Sequence, residues 1–416
     1  MRLIIYILAF IFIYNVPFTN IPISGSKIAV LCLLCIIIFK SAKGYKIKVK
    51  NSEIVVLELA LFLTFYSIII MLVNRSGDIN IVYSCILLIF NHMLGAFLFT
   101  QVLKSNKMLT IENVMKILIV ITTVQSVIIL LMMLSQNFYN LISNLAYLPT
   151  RESLYLRYGG ARGYGLAASI TYDLGVVQSF SLLYLSYFIQ IKRRIVHVIL
   201  YILIVVSVLA TGRTGLIGII LSIMYMLISD LKSQRKGMRT LVGIFLILVC
   251  AGVYLMSSSD NSVISSMQEY IFEAFNNYKE TGEFSTATGS NIAKMFDSMT
   301  NYSLKTWIFG DGRYQGEGLY YYGNVDVGFL RHILYFGLAG SALLLLYYLN
   351  IFKRGLKLVK NNQIKIIWVL LFLYLIIAHI KGDFLLGCGM GISTILILFY
   401  TFVEEKTLDY EKSTNC

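Results

Sequence analysis

Apolar runs of 14 or more residues recur from one end of this chain to the other. A run of that length suits a helix in hydrocarbon, where each backbone polar group must find its partner inside the segment. About twelve runs are read: 3–18, 26–39, 53–73, 80–102, 111–134, 166–190, 195–211, 214–229, 239–257, 326–350, 364–380 and 383–403. With 58% hydrophobic and 13% charged residues over 416 positions, an ordinary soluble domain is excluded. The expected fold is an all-α polytopic integral membrane protein with about 12 transmembrane helices and one large outer-face loop. The first run follows Arg2 without an A-x-A cleavage site, so it is read as an uncleaved first helix.

The net charge of +14 follows the positive-inside rule rather than pointing to nucleic acid. With the N-terminus cytoplasmic, the inner segments hold Lys40–Lys50, Lys104 and Lys107, Lys192–Arg194, Lys232–Arg239, Lys353–Lys365, and Lys406 with Lys412. The inverse topology would place these clusters outside. Both termini are therefore expected in the cytoplasm. Residues 1–257 carry helices 1–9 with an outer loop at 135–165, and 258–325 form the large outer loop. Residues 326–403 carry helices 10–12, and 404–416 are the tail. Cys32 and Cys35 read as two small apolar residues one helical turn apart, and no disulfide framework is expected. His92 and His197 are placed near inner helix ends and read as structural.

The large loop is patterned. Val263, Ile264, Met267, Tyr270, Ile271, Ala274, Phe275 and Tyr278 share one helical face, which predicts an amphipathic helix. A second helix is predicted over about 290–303. The turn-rich patch Gly310–Gly318, which includes Arg313, suits a backbone that closely approaches a ligand, or a plain solvated loop.

Several constellations suit an anionic substrate. Arg213, in the turn Thr211–Gly215, lies between predicted runs of about 17 and 16 residues, roughly 24–26 Å each. It either occupies a cavity below the outer surface or snorkels to headgroups. Arg151, Arg157 and the glycine-flanked Arg162 fit phosphate oxygens or headgroups. Asp326, Arg331 and His332 fall within two turns at the start of the tenth run, as an acid/base and phosphate site or as a helix cap with two packing residues. His379, Lys381 and Asp383 sit in the last outer turn. The sequence has no Walker loop, dinucleotide fingerprint, D-x-D pair or Cys/His metal cluster, so no cofactor or metal is expected.

On these residues the chain resembles the O-antigen polymerase (Wzy) family, relatives of the O-antigen ligases. The resemblance rests on the span layout with its loop in the C-terminal third and on glycine-flanked Arg162. Thr211-Gly212-Arg213-Thr214-Gly215-Leu216 stands for the family's S-R-T-G-L-like turn, and Trp307–Gly312 for its W-x-x-G-x-G loop end. Asp326 to Gly337 and Gly340 match the stretch where polymerases carry Asp and ligases carry His followed by Asn. Lys294 stands where the family has an arginine. The resemblance implies metal-independent glycosyl transfer between undecaprenyl-pyrophosphate-linked glycans at the outer face of a bacterial cytoplasmic (inner) membrane, building O-antigen or capsule. Asp326, His332 and Arg213 would be catalytic. Arg151, Arg157, Arg162, Lys294, Arg313, Arg331, His379, Lys381 and Asp383 would bind substrate and pyrophosphate. Membrane lipids, a chain-length regulator and a flippase of the same pathway are the implied partners. A ligase and a lipid-linked-sugar transporter are the rival readings.

Overall fold

The computed structural model describes residues 1–147, 149, 153, 163–169, 172–192, 194–212, 214–233, 277–279, 287–316 and 321–414. Among these the chain is helical, without a strand, and an isolated antiparallel bridge joins Gln315 to Tyr321. Seven helices are long and apolar enough to cross a membrane: Gly25–Ala42, Asn51–Val73, Asn80–Ser105, Ile111–Leu134, Asp173–Lys192, Gly328–Leu358 and Asn362–His379. Arg2–Tyr14, Ile195–Thr211 and Thr214–Ser229 are shorter apolar helices. The run at 239–257 and the helix expected over 263–278 lie outside the described residues, except for 277–279.

Contacts divide the chain into two units. One comprises Tyr14–Gly25 and Met115–Ala287. Within it, helices Tyr172–Lys192 and Thr214–Ser233 pack so closely that a Cβ on Gly218 would lie 2.1 Å from the Ser179 side chain. Small residues permit this approach, and buried polar side chains join the helices. Thr211 donates to Gln178 Oε1 at 2.8 Å, and Gln178 Nε2 donates to Ser207 at 2.7 Å. The helix after the Thr211–Gly215 turn runs on to Ser233, four residues past the apolar run of 214–229. The added residues, Asp230 to Ser233, are mostly polar, so the apolar parts on both sides of the turn, Ile195–Thr211 and Thr214–Ser229, keep the short lengths expected. Helix Gln136–Leu145, absent from the sequence expectations, begins at a Ser135 cap and packs Tyr139 and Ile142 against Met132 and Tyr164.

The other unit comprises Met1–Ile13, Ser26–Val114 and Thr288–Cys416. Its long helix Gly328–Leu358 is broken at Gly337, where φ is +68° and ψ −175°. A break frees the carbonyls just before it from the helical ladder, and buried carbonyls need donors. Asp311 N–H donates to Leu334 O at 2.7 Å, Gly312 N–H to Tyr335 O at 3.1 Å, and Tyr66 Oη to Phe336 O at 3.1 Å. Glycine is required on both sides of this joint. A Cβ on Gly310 would come within 2.2 Å of Tyr335 O, and one on Gly337 within 2.1 Å of Ile308 O. The segment after helix Leu304–Phe309 is thereby fastened to the break.

The last helix begins at Gly389 rather than at the expected 383. Asp383 Oδ1 accepts the Leu386 N–H at 2.9 Å, a local side-chain-to-backbone bond that competes with helix. At its other end this helix continues to Thr414, through the stretch expected to be the tail. Glu404 is buried there, bonded by Lys104 Nζ at 2.6 Å and Gln101 Nε2 at 2.8 Å. His92 does not lie near a helix end: it sits in a π-helical turn, Leu88–Met93, within Asn80–Ser105, with Nδ1 2.8 Å from Ser393 Oγ.

Candidate functional site

The second unit buries a cluster of ionisable side chains where the first turn of helix Gly328–Leu358 meets the turn following Asn362–His379. Arg331, His332, His379 and Asp383 are each at most 4% exposed. Gly328 makes the meeting possible, since a Cβ there would stand 2.3 Å from Gly382 O and 2.5 Å from the His379 ring. The His332 and His379 ring centroids are 4.8 Å apart, and Phe329 packs edge-on against His379 at 4.4 Å.

Asp383 organises the cluster. Its Oδ1 accepts the Leu386 N–H, and its Oδ2 accepts the Tyr314 hydroxyl at 2.8 Å. His332 Nε2 is 3.1 Å from Oδ1, at ion-pair distance but without hydrogen-bond alignment. Burial alone would raise this carboxyl's pKa. The facing His332, with His379 and Arg331, instead holds it well below the usual carboxylate range. A carboxylate opposite Nε2 favours the His332 tautomer with its proton on that nitrogen.

Arg331 lies between two rings. Its guanidinium carbon is 3.9 Å from the Tyr314 ring centroid and 3.4 Å from that of Tyr321. A desolvated cation over aromatic faces gains about 2 kcal/mol or more. The rings come from a short hairpin in which Tyr322 N–H donates to Tyr314 O at 3.1 Å. Asp78, from the connection between Asn51–Val73 and Asn80–Leu87, anchors this hairpin. Its Oδ2 accepts the amides of Tyr314 and Gln315 at 2.6 and 2.7 Å. The sequence marks Tyr314 only as part of the Gly310–Gly318 patch and gives no sign of Asp78 or Tyr321, because a lone aspartate and one tyrosine among many carry no motif.

Three buried nitrogens here lack a hydrogen-bond partner: Arg331 Nε, His332 Nε2 and His379 Nε2. His379 Nδ1 accepts the Phe384 N–H at 3.0 Å, so the ring's proton belongs on Nε2. That bears on metal binding. The ligand atoms of His332, His379 and Asp383 all lie within 4.8 Å of one another. In the tautomer that the Phe384 contact favours, His379 Nε2 carries the hydrogen, and an ion at that nitrogen would have to displace it. The set suits proton transfer and hydrogen bonding better than a metal cage.

The remaining expected site residues are dispersed. The Asp326 side chain is 56% exposed, with Oδ1 3.7 Å from Arg331 Nη1, a pairing that water screens. Asp326 thus stands beside the cluster rather than in it. Arg313 is exposed, 5.9 Å from the Tyr322 ring. Lys294 is exposed on helix Ala287–Ser298, and Lys381 is half-buried in the turn before Asp383. Arg151, Arg157, Arg162 and Arg213 lie outside the described residues, as do 317–318 of the turn-rich patch. No protein-family model matches the sequence, and no curated protein matches it significantly.

Proposed function

We propose that this chain is a membrane glycosyltransferase that polymerises lipid-linked oligosaccharides, as its resemblance to O-antigen polymerases implies. The observation that carries this reading is the buried His332–Asp383 pair at 3.1 Å, set near the start of an apolar helix, with the Tyr314 hydroxyl bonded to Asp383. An imidazole oriented by a buried carboxylate is a general base built for a hydroxyl. His332 therefore replaces Asp326 as the proposed base. With Nε2 turned to Asp383, Nδ1 takes the proton.

The step is a substitution at an anomeric carbon. The acceptor hydroxyl oxygen bonds to that carbon as its proton passes to His332. The carbon–oxygen bond to the diphosphate breaks, and undecaprenyl pyrophosphate departs with the bonding pair. Arg213 and the arginines of the 135–165 loop are the diphosphate ligands that the sequence resemblance implies, since guanidinium groups can neutralise a departing diphosphate. We place the reaction at the outer face of a bacterial cytoplasmic membrane, with both termini inside, on the distribution of Lys and Arg.

Purified protein in nanodiscs, supplied with lipid-linked repeat units, tests the reading. Lengthening glycans support the polymerase. Transfer to a lipid core would identify a ligase, and neither product would point to a transporter.

A further inference from the structure

We infer that the Arg331–His379 side of the cluster is a subsite for an uncharged sugar of the acceptor, and that the diphosphate binds elsewhere. This rests on the glycosyl-transfer reading and assigns one part of its substrate to one set of side chains. Two buried donors, Arg331 Nε–H and His379 Nε2–H, lack protein acceptors. Buried donors in a folded protein are ordinarily satisfied, so a ligand oxygen is the natural partner.

Charge decides which oxygen. Among the described residues of the cluster Arg331 is the one guanidinium, while Asp383 and, at its edge, Asp326 are carboxylates. A diphosphate brought here would face both carboxylates in a buried environment where repulsion is poorly screened. A hydroxyl or N-acyl carbonyl of a neutral sugar satisfies the same donors without that opposition. The remaining composition agrees: the Tyr314 and Tyr321 rings, each with one face over Arg331, border the cluster with aromatic surface of the kind sugars pack against, and His332 stands ready for a hydroxyl proton. Tyr314 is tied to Asp383 through its hydroxyl, so the ring, the carboxylate and the base keep one register.

Saturation-transfer NMR on the full-length protein in nanodiscs provides the test, with N-acetylglucosamine and glucose as neutral probes and inorganic pyrophosphate as competitor. The expected result is saccharide binding that pyrophosphate does not displace. Tyr321→Ala and His379→Gln should each weaken it 10-fold or more, while Tyr321→Phe retains it. Because Tyr321 is only half-buried, its variants stay informative if His379→Gln fails to fold. Displacement by pyrophosphate, undiminished binding in Tyr321→Ala, or no saccharide binding would overturn the inference. Chain growth without saccharide binding would remove this subsite and leave the polymerase reading intact. Saccharide binding without chain growth would do the reverse.

Discussion

His332 Nε2 and Asp383 Oδ1 stand 3.1 Å apart, and neither side chain is more than 2% exposed. A buried carboxylate costs several kcal/mol of lost hydration, so it persists only with close partners. Asp383 has Leu386 N–H, the Tyr314 hydroxyl and His332.

If that pair is the catalytic base and its orienter, Asp383→Asn and His332→Gln should each lower glycosyl transfer by about 10²-fold or more. The double variant should be little worse than either single one, because residues acting as a unit are not additive. Single-turnover rates with membrane levels matched by immunoblot would check this.

Asp326→Asn should cost transfer less than about 10-fold, because an exposed carboxylate 3.7 Å from Arg331 is screened by water. A loss of about 10²-fold in the same assay would return the base to Asp326.

The helical class and the seven long apolar helices were legible in the sequence, because uncharged runs of spanning length announce themselves. Arg331, His332, His379 and Asp383 were legible as polar residues near helix ends, but their convergence was not. It depends on Gly328 letting the 379–382 turn approach, and on Asp383 bonding the Leu386 amide so that the last helix starts at Gly389. The first contact joins residues more than 50 positions apart and the second is a three-residue side-chain bond, and neither leaves a periodic trace. The break in the tenth helix was hidden for the same reason: Gly337 reads as one small residue in an apolar run until Asp311 and Gly312 are seen to bond the carbonyls before it.

Gly328→Ala should damage the site without touching a polar group. The added methyl would meet Gly382 O at 2.3 Å, and backbone cannot yield as a flexible side chain does. A destabilisation of about 1–3 kcal/mol is expected, as for other overpacked sites. It would register as a lower melting midpoint in detergent, while Gly382→Ala, whose Cβ would meet only Phe384 at 3.7 Å, should melt near the wild type.

Asp78→Ala should loosen the hairpin over Arg331, since the Tyr314 and Gln315 amides lose the carboxylate that accepts them. Hydrogen bonds to a charged acceptor contribute about 1.5–3 kcal/mol. Amide exchange at 314–315 should therefore accelerate about 10-fold or more in hydrogen–deuterium mass spectrometry, with helix Asn362–His379 unchanged.

Acid should act through Asp383 in a defined direction. Its pKa is depressed on folding, so its contribution is fully present above the ordinary carboxylate range and is lost as pH falls through the lower folded value. Melting curves of wild type and Asp383→Asn should differ by a constant amount near neutrality and converge only in strong acid. Convergence at or above the ordinary carboxylate pKa would mean that the pairing with His332 is weaker than its geometry suggests.

The most direct measurement is undecaprenyl pyrophosphate released per glycosidic bond formed, by wild type and by His332→Gln, in nanodiscs supplied with lipid-linked repeat units. The account predicts one released carrier per bond in the wild type, with both products reduced about 10²-fold or more in the variant at equal protein. Chain growth in His332→Gln at the wild-type rate, or no carrier release by the wild type, would contradict it.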